Sequence, residues 1–396
     1  MNNIEIEKLI PGGQALGTLE NGKKIMLWGA LPGEIVNTVR ITKEKSSYVE
    51  GVAEEIAKKS QYRIKPKDEC YLATSPWQIM TYEYELEQKF AILEEIYRQA
   101  KINLNEVKIN PVQTDGQDFH YRNKMEYALY YDHADEKIYP AFHGRGSHRK
   151  APVTQSSLER PEIWQRATEI IDELNARGED ARKYQSLLLR CDQNGSVSGG
   201  LYENHKPHQK FTSLSDKITG ETYTYSPNGF FQINLPVYEM ALREIKGWVK
   251  TDDVLDLYSG VGTIGLSVSR DKNLVLVECD KSAYRELEAN VEKVKQSSNN
   301  PVHITPVLAK SEDALEYIAP NQTVIVDPPR AGCMPEVIAK FHTTEPKTII
   351  YLSCNPVTQA RDISKLLDIY NIANITPYNF FPRTPHLENL VILEHK

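Results

Sequence analysis

From Ser226 to the carboxyl end the chain alternates helix-like stretches with short apolar runs, and no other feature constrains its fold as strongly. The runs Val254-Leu255-Asp256-Leu257, Leu274-Val275-Leu276-Val277, Thr323-Val324-Ile325-Val326 and Thr348-Ile349-Ile350-Tyr351-Leu352 are nearly continuous. Strands buried on both faces have that composition, whereas strands with one wet face alternate apolar and polar residues. Strands joined by helices make βαβ units, so the pattern predicts an α/β fold with a mostly parallel, doubly wound sheet. Ligands of such sheets bind outside the carboxyl ends of the strands. Three runs end in polar or reactive residues there: Asp256-Leu257-Tyr258-Ser259-Gly260, Asp327-Pro328-Pro329-Arg330 and Ser353-Cys354-Asn355-Pro356. They are expected to converge on one crevice, with the Cys354 thiol placed for covalent chemistry beside a bound nucleotide.

The preceding residues read differently. Residues 1–60 break into short strands at Pro11-Gly12-Gly13, Gly17, Asn21-Gly22 and Pro32-Gly33, and Asn21-Gly22 between apolar stretches is a hairpin signal. A small β-barrel is predicted, either a structural cap or an OB-like nucleic-acid binder with Trp28 and Tyr48 as stacking surfaces. A helix follows from about Tyr82 to Ala100, with Leu86, Phe90, Leu93 and Ile96 or Tyr97 as its core face. Residues 119–131, 184–191 and 196–202 read as strands, with a helix near 161–176, so the middle of the chain is an α+β domain. The predicted domains are 1–60, 61–220 and 221–396, within the length of 396 residues.

Composition excludes several classes. The five cysteines, Cys70, Cys191, Cys279, Cys333 and Cys354, are dispersed without a CxxC pair, which argues for free thiols over a disulfide framework or a zinc site. No apolar run approaches the roughly 20 residues of a membrane span, and Met1-Asn2-Asn3-Ile4-Glu5 lacks the regions of a signal peptide, so a cytoplasmic location is expected. No obligate protein partner is evident. The net charge of −7 is not that of a general nucleic-acid binder, so RNA contacts must come from local patches. Candidates are Lys43 and Lys45, the group Lys58, Lys59, Arg63, Lys65 and Lys67, and the segment from His143 to Lys150.

The stretch Val254 to Gly265 is a strand, a glycine turn and a helix start. Gly260, Gly262 and Gly265 let the backbone approach a ligand closely, and Glu278 after the next strand is placed for a ribose hydroxyl. This spacing suits NAD and S-adenosylmethionine equally. The Asp327-Pro328-Pro329 loop is stiffened by its prolines and can aim a carboxylate into the crevice. In Phe230-Phe231-Gln232-Ile233-Asn234 the aromatics are expected in the core and Gln232 toward the ligand.

Together the motifs Phe-Phe-Gln-x-Asn, Asp-Leu-Tyr-Ser-Gly-x-Gly-Thr, Val-Glu, Asp-Pro-Pro-Arg-x-Gly, Ser-Cys-Asn-Pro and Pro-His-Leu-Glu resemble the S-adenosylmethionine-dependent RNA 5-methyluridine methyltransferases, in order and over nearly the whole chain. The amino-terminal module is similar to a TRAM domain in its Gly-rich start, Asn-Gly-Lys turn, Leu-Pro-Gly-Glu and terminal Tyr-x-Glu-Gly. The resemblance implies a Rossmann-like methyltransferase domain and contacts to S-adenosylmethionine from Gln232, Tyr258, Gly260, Glu278 and Asp327. Thr263 joins them at a position where some relatives carry Asn. Several relatives hold an iron–sulfur cluster on four cysteines. Here Cys70 lacks such partners and the segment from Ala151 to Ser156 lacks the later cysteine, so neither a cluster nor another metal is expected.

The implied reaction methylates carbon 5 of uracil. Carbon 5 becomes nucleophilic when a thiolate adds to carbon 6, a role for Cys354, and a base must later remove the carbon 5 proton, the role the resemblance implies for Glu388. The loop containing His386 and Glu388 precedes the apolar run Leu390-Val391-Ile392-Leu393, a strand that brings it to the crevice. The implied substrate is a flipped or looped uridine in structured RNA, with 23S ribosomal RNA favoured over transfer RNA by analogy with the TRAM-like module. A non-catalytic RNA-binding or folding factor on the same fold would need neither Cys354 nor Glu388. An NAD-linked oxidoreductase would leave the Asp-Pro-Pro-Arg and Ser-Cys-Asn-Pro motifs without roles.

Overall fold

A computed structural model describes residues 3–104, 107–145, 149–154, 156–297 and 303–396. Met1 and Asn2 of the amino terminus, Gly146, Ser147 and His148 of the basic segment, and Gln155 lie outside the described residues. The chain forms two compact units. Residues 1–92, 116–211 and 381–386 make the first, and residues 93–115, 212–380 and 387–396 the second.

The first unit begins with Ile4–Leu9 (β1), Ala15–Thr18 (β2), Lys24–Trp28 (β3), Ile35–Glu44 (β4) and Tyr48–Lys58 (β5). They close into a barrel of order β1-β2-β3-β5-β4, which removes sheet edges, and it fits the TRAM-like module expected from the sequence. The hairpin at Asn21-Gly22 is present: Gly22 has φ +79° and its N–H donates to Leu19 O. Inside the barrel Ile4, Ile6, Leu9, Ile25, Leu27, Val36 and Val49 pack with Trp77, Ile79 and Met80. Gly51 is needed because a Cβ would stand 2.8 Å from Arg40 O.

The same unit carries a six-stranded antiparallel sheet of Lys124–Asp132 (β6), Lys137–His143 (β7), Lys150–Pro152 (β8), Ser186–Cys191 (β9), Val197–Glu203 (β10) and Lys206–Pro207 (β11), in the order β11-β10-β9-β6-β7-β8. Helix Pro161–Ala176 buries Ile163, Ala167, Ile171 and Leu174 in one cluster with Met125, Tyr127, Leu187 and Leu189 of the sheet. Its proline at the first turn suits a position with no intrahelical N–H bond. Residues 119–123, expected as strand, precede β6, and β7 was not anticipated because Pro140 interrupts its pattern.

Helix Tyr82–Gln99 forms as expected and buries Leu93, Ile96 and Tyr97 of the expected face, but its first half differs. Glu85 and Lys89 are buried and ion-paired at 2.9 Å, whereas Leu86 and Phe90 are only partly buried. Arg383, in the left-handed region at φ +62°, donates its backbone N–H to both Glu85 oxygens and its side chain to Met80 O and Asp118. Lys89 donates to Phe381 O.

In the second unit a two-stranded ribbon, Leu214–Ile218 (β12) and Glu221–Tyr225 (β13), precedes the doubly wound sheet. That sheet contains Asp253–Leu257 (β14), Asn273–Glu278 (β15), Ile304–Leu308 (β16), Thr323–Val326 (β17), Thr348–Ser353 (β18), Tyr370–Tyr378 (β19) and Glu388–His395 (β20). The order is β16-β15-β14-β17-β18-β20-β19. The first five run parallel, as the apolar runs imply, and β20 inserts antiparallel between β18 and β19. Among the described residues no helix is long and apolar enough to cross a membrane.

Candidate active site

The glycine turn lies at the carboxyl end of β14. Tyr258, Gly260 and Gly262 have φ of +62°, +57° and +88°, so the chain makes a left-handed path before helix Thr263–Ser269. A Cβ on Gly262 would stand 2.6 Å from Leu287 Cδ1. Gly265 is closed in from β14 and β15, since its Cβ would lie 2.8 Å from Asp256 Oδ2 and 2.7 Å from Leu276 Cδ2. Glu278, ending β15, accepts the Gly260 N–H at 2.8 Å and the Asp280 N–H at 2.6 Å, so the acid and the turn are held together. Thr263 is the first helical residue and is buried.

Asp256 was not among the expected site residues. It is fully buried, accepts the Gly265 N–H at 2.9 Å, and is pushed up to about 8 by burial, with Asp327 and Glu278 adding to the shift. Its motif position was visible, but its protonation depends on neighbours far apart in sequence. Asp256 Oδ1, Ser259 Oγ and both amide atoms of Asn234 are buried without hydrogen-bond partners among the described residues. Buried polar groups are normally paired. The strand-end turn and the start of helix Leu235–Trp248 thus carry unmet hydrogen-bonding capacity of the kind a nucleotide ligand satisfies.

Gln232 is buried, as is Phe231, which stacks on Tyr225 with centroids 3.9 Å apart. Phe230 departs from expectation: it is 72% exposed and is no core residue. A helical turn beyond Asn234, Tyr238 is buried and its hydroxyl is raised by burial and by Asp327, Asp256 and Glu388, which places it among these acids.

The topology explains how Cys354 meets Glu388. In the antiparallel β18–β20 pair Ser353 is opposite Asn389, so the next position outward sets Cys354 against Glu388. Asp327 follows β17, the other neighbour of β18. Burial raises the Cys354 thiol to about 12, and Glu388 and Asp327 add to the rise, whereas Arg330 opposes it by charge and by a hydrogen bond to the thiol. Glu388 is buried and raised well above the usual carboxylate range by burial and by Asp327, which burial itself pushes up to about 7. His386 is exposed and packs against Phe381.

Other candidates take up structural contacts in the first unit. The Trp28 ring lies 4.1 Å below the Arg145 guanidinium, Lys43 sits over Tyr48 and pairs with Glu50, and Arg63 is bound to the buried Glu34. Cys70 is half-buried, its thiol raised to about 12 by burial.

The sheet order, the glycine turn and the strand-end thiol and acids define a Rossmann-like methyltransferase fold. Residues 209–396 match the family described as tRNA (uracil-5-)-methyltransferase. An RNA methyltransferase of Lactobacillus johnsonii is 28% identical over 96% of both chains, and one of Thermotoga maritima 25% over 99% of both. Among solved structures, the Pyrococcus abyssi tRNA (uracil-54, C5)-methyltransferase in complex with S-adenosyl-L-homocysteine matches with a TM-score of 0.75 at 24% identity, over 99% of this chain and 100% of that one.

Proposed function

We propose that this enzyme methylates carbon 5 of a uridine in structured RNA through a covalent adduct between Cys354 and uracil carbon 6, with Glu388 as the base that ends the adduct. The observation that carries this reading is the antiparallel placement of β20 beside β18, which sets Cys354 and Glu388 at opposed strand ends. The methyl donor we propose is S-adenosylmethionine, which when bound supplies an electrophilic methyl group on a sulfonium. Gln232, Tyr258, Gly260, Thr263, Glu278 and Asp327 would hold it, with Glu278 on the ribose hydroxyls. The unpartnered Asn234, Ser259 and Asp256 atoms are consistent with a ligand at this end of the sheet.

Once its proton has gone to solvent, the Cys354 thiolate bonds through Sγ to carbon 6, and the π electrons of the 5,6 double bond move onto carbon 5 and the carbon 4 carbonyl. Carbon 5 would take the methyl group, the electrons of the broken methyl–sulfur bond staying on the donor sulfur as a neutral thioether, and carbon 5 still bears its hydrogen. Glu388, as carboxylate, accepts that proton; the C–H electrons restore the double bond and expel the thiolate from carbon 6. A raised proton affinity suits this step, since a carboxylate in its usual range is too weak a base for a carbon acid. Arg330 is the cation that opposes the rise in the Cys354 pKa and favours its thiolate.

The target favoured by the sequence is 23S ribosomal RNA, with the barrel and the central sheet of the first unit as RNA-binding elements. Transfer RNA is a second reading, supported by likeness along the whole chain, barrel included, to the Pyrococcus abyssi tRNA enzyme. Mapping 5-methyluridine in ribosomal and transfer RNA from cells with and without the protein separates the two. A site lost from ribosomal RNA supports the first reading, and a site lost only from transfer RNA refutes it. Cys354→Ala should abolish methylation of the target, and retained activity would exclude nucleophilic catalysis by this thiol.

A further inference from the structure

Within the second unit, three buried polar side chains join the strand that leads to Cys354 to the strand that begins at Glu388. Helix Pro356–Ser364 follows Cys354 and buries Ala360 and Ile363. The core-facing side of such a helix is normally apolar, yet Gln359 shares it and is fully buried. Gln359 Nε2 donates to Tyr351 O on β18 at 2.8 Å and to Asn389 O on β20 at 2.9 Å. Its Oε1 accepts from Asn389 Nδ2 at 2.7 Å and from the Tyr97 hydroxyl at 3.5 Å. Asn389 Nδ2 donates a second bond, to Tyr97 Oη at 2.7 Å, and both residues are fully buried. Every polar atom of the Gln359 amide is engaged, so the helix and the two strands are tied at one point.

That point lies beside the proposed chemistry. Asn389 is opposite Ser353 in the β18–β20 register; Ser353 precedes Cys354, and Asn389 follows Glu388. Apolar contacts are non-directional, whereas each of these hydrogen bonds holds its members to a narrow range of distance and angle. The Cys354 side has a further tie, because the Asn355 N–H donates to Ser353 Oγ at 3.1 Å and Asn355 caps the helix. Glu388 is the first residue of its strand, so the hold on Asn389 bears on it directly.

We propose that Gln359 and Asn389 are positioning residues that fix the Glu388 carboxylate relative to the Cys354 adduct, and so govern resolution of the adduct more than its formation. The inference rests on the roles proposed above for Cys354 and Glu388. In the step concerned, the carbon 5 proton goes to the carboxylate, the C–H electron pair re-forms the 5,6 double bond, and the carbon 6–sulfur pair leaves on Cys354. A base acts within about 2.6–3.2 Å of its target, and a displacement of about 1 Å costs up to roughly a hundredfold in rate.

Single-turnover quenching with methyl-labelled S-adenosylmethionine and unmethylated transcripts of 23S ribosomal RNA and of transfer RNA separates the two phases. Labelled protein–RNA adduct on a denaturing gel reports addition and transfer, and its decay to free methylated RNA reports elimination. Gln359→Met keeps the length of the side chain without its hydrogen bonds, and should slow decay roughly tenfold while changing adduct formation less than about twofold. Asn389→Leu should act in the same direction to a smaller extent, since Gln359 still reaches the Asn389 carbonyl. The triple variant Tyr97→Phe, Gln359→Met, Asn389→Leu leaves none of the three side chains with an unmet polar group. It should have a denaturant midpoint nearer the wild type than Gln359→Met has, with elimination still slow. Decay at the wild-type rate in Gln359→Met, or elimination that recovers together with stability in the triple variant, would overturn the proposal and leave the proposed function standing. A wild-type enzyme that methylates neither transcript, or methylates without forming an adduct, would instead remove the reading beneath the inference, and the inference with it.

Discussion

Asp256→Asn tests whether a carboxyl in the centre of the second unit is held protonated. Asp256 is fully buried, and its pKa rises from the usual 3.8 to about 8. For a carboxyl raised in the folded state, the unfolded chain ionises first, so stability is lost as pH climbs from the unfolded to the folded value. Each pH unit in that window costs at most ~1.4 kcal/mol, so between about pH 4.5 and about pH 7 the cost reaches a ceiling of ~3 kcal/mol. Asparagine can still accept the Gly265 N–H and never ionises. The variant should therefore gain on the wild type with rising pH, by roughly 1–3 kcal/mol at about pH 7, and level off above about pH 8. At 2–4 °C per kcal/mol this is a Tm difference of several degrees. Scanning calorimetry of both proteins across this range measures it, and groups that titrate alike cancel in the difference. Parallel curves, or an asparagine variant that loses ground as pH rises, would refute the assignment of a neutral Asp256.

Lys89→Met leaves Glu85 buried without its lysine and should destabilise the first unit by about 3–5 kcal/mol in chemical denaturation, whereas Glu85→Gln with Lys89→Met should recover much of the loss; a harmless single variant would show that the pair contributes little. Gly262→Ala forces a Cβ into a left-handed position 2.6 Å from Leu287 Cδ1 and should cost about 2–4 kcal/mol. It should also weaken S-adenosylhomocysteine binding in calorimetric titration, and unchanged stability and affinity would contradict the role given to the turn.

The second unit was readable in the sequence because its signals are local. Four apolar runs became parallel strands, and Gly260 met Glu278 as a strand–turn–helix pattern requires. Helices near 82–100 and 161–176 were equally plain, since 3.6-residue periodicity needs no knowledge of the partner surface. What escaped depends on contacts between distant residues. Glu85 and Lys89 look like a solvated i, i+4 pair until Arg383, almost 300 positions later, is found beside them. Trp28 looks like an open stacking platform until Arg145 covers it. Phe230 looks like core beside Phe231, but Tyr225 takes only the second ring. The insertion of β20 beside β18 is likewise non-local, and it is what brings Glu388 to Cys354.

The most direct test of covalent catalysis is the fate of Glu388→Gln. Under the proposed roles this variant keeps Cys354 and the residues proposed to hold the cofactor but loses the base for the carbon 5 proton, so with target RNA and S-adenosylmethionine it should accumulate a protein–RNA adduct that survives a denaturing gel. The adduct should carry the transferred methyl group and be absent from the Cys354→Ala, Glu388→Gln double variant. A Glu388→Gln enzyme that turns over at the wild-type rate, or an adduct that persists without Cys354, would contradict the pairing of these two residues as nucleophile and base.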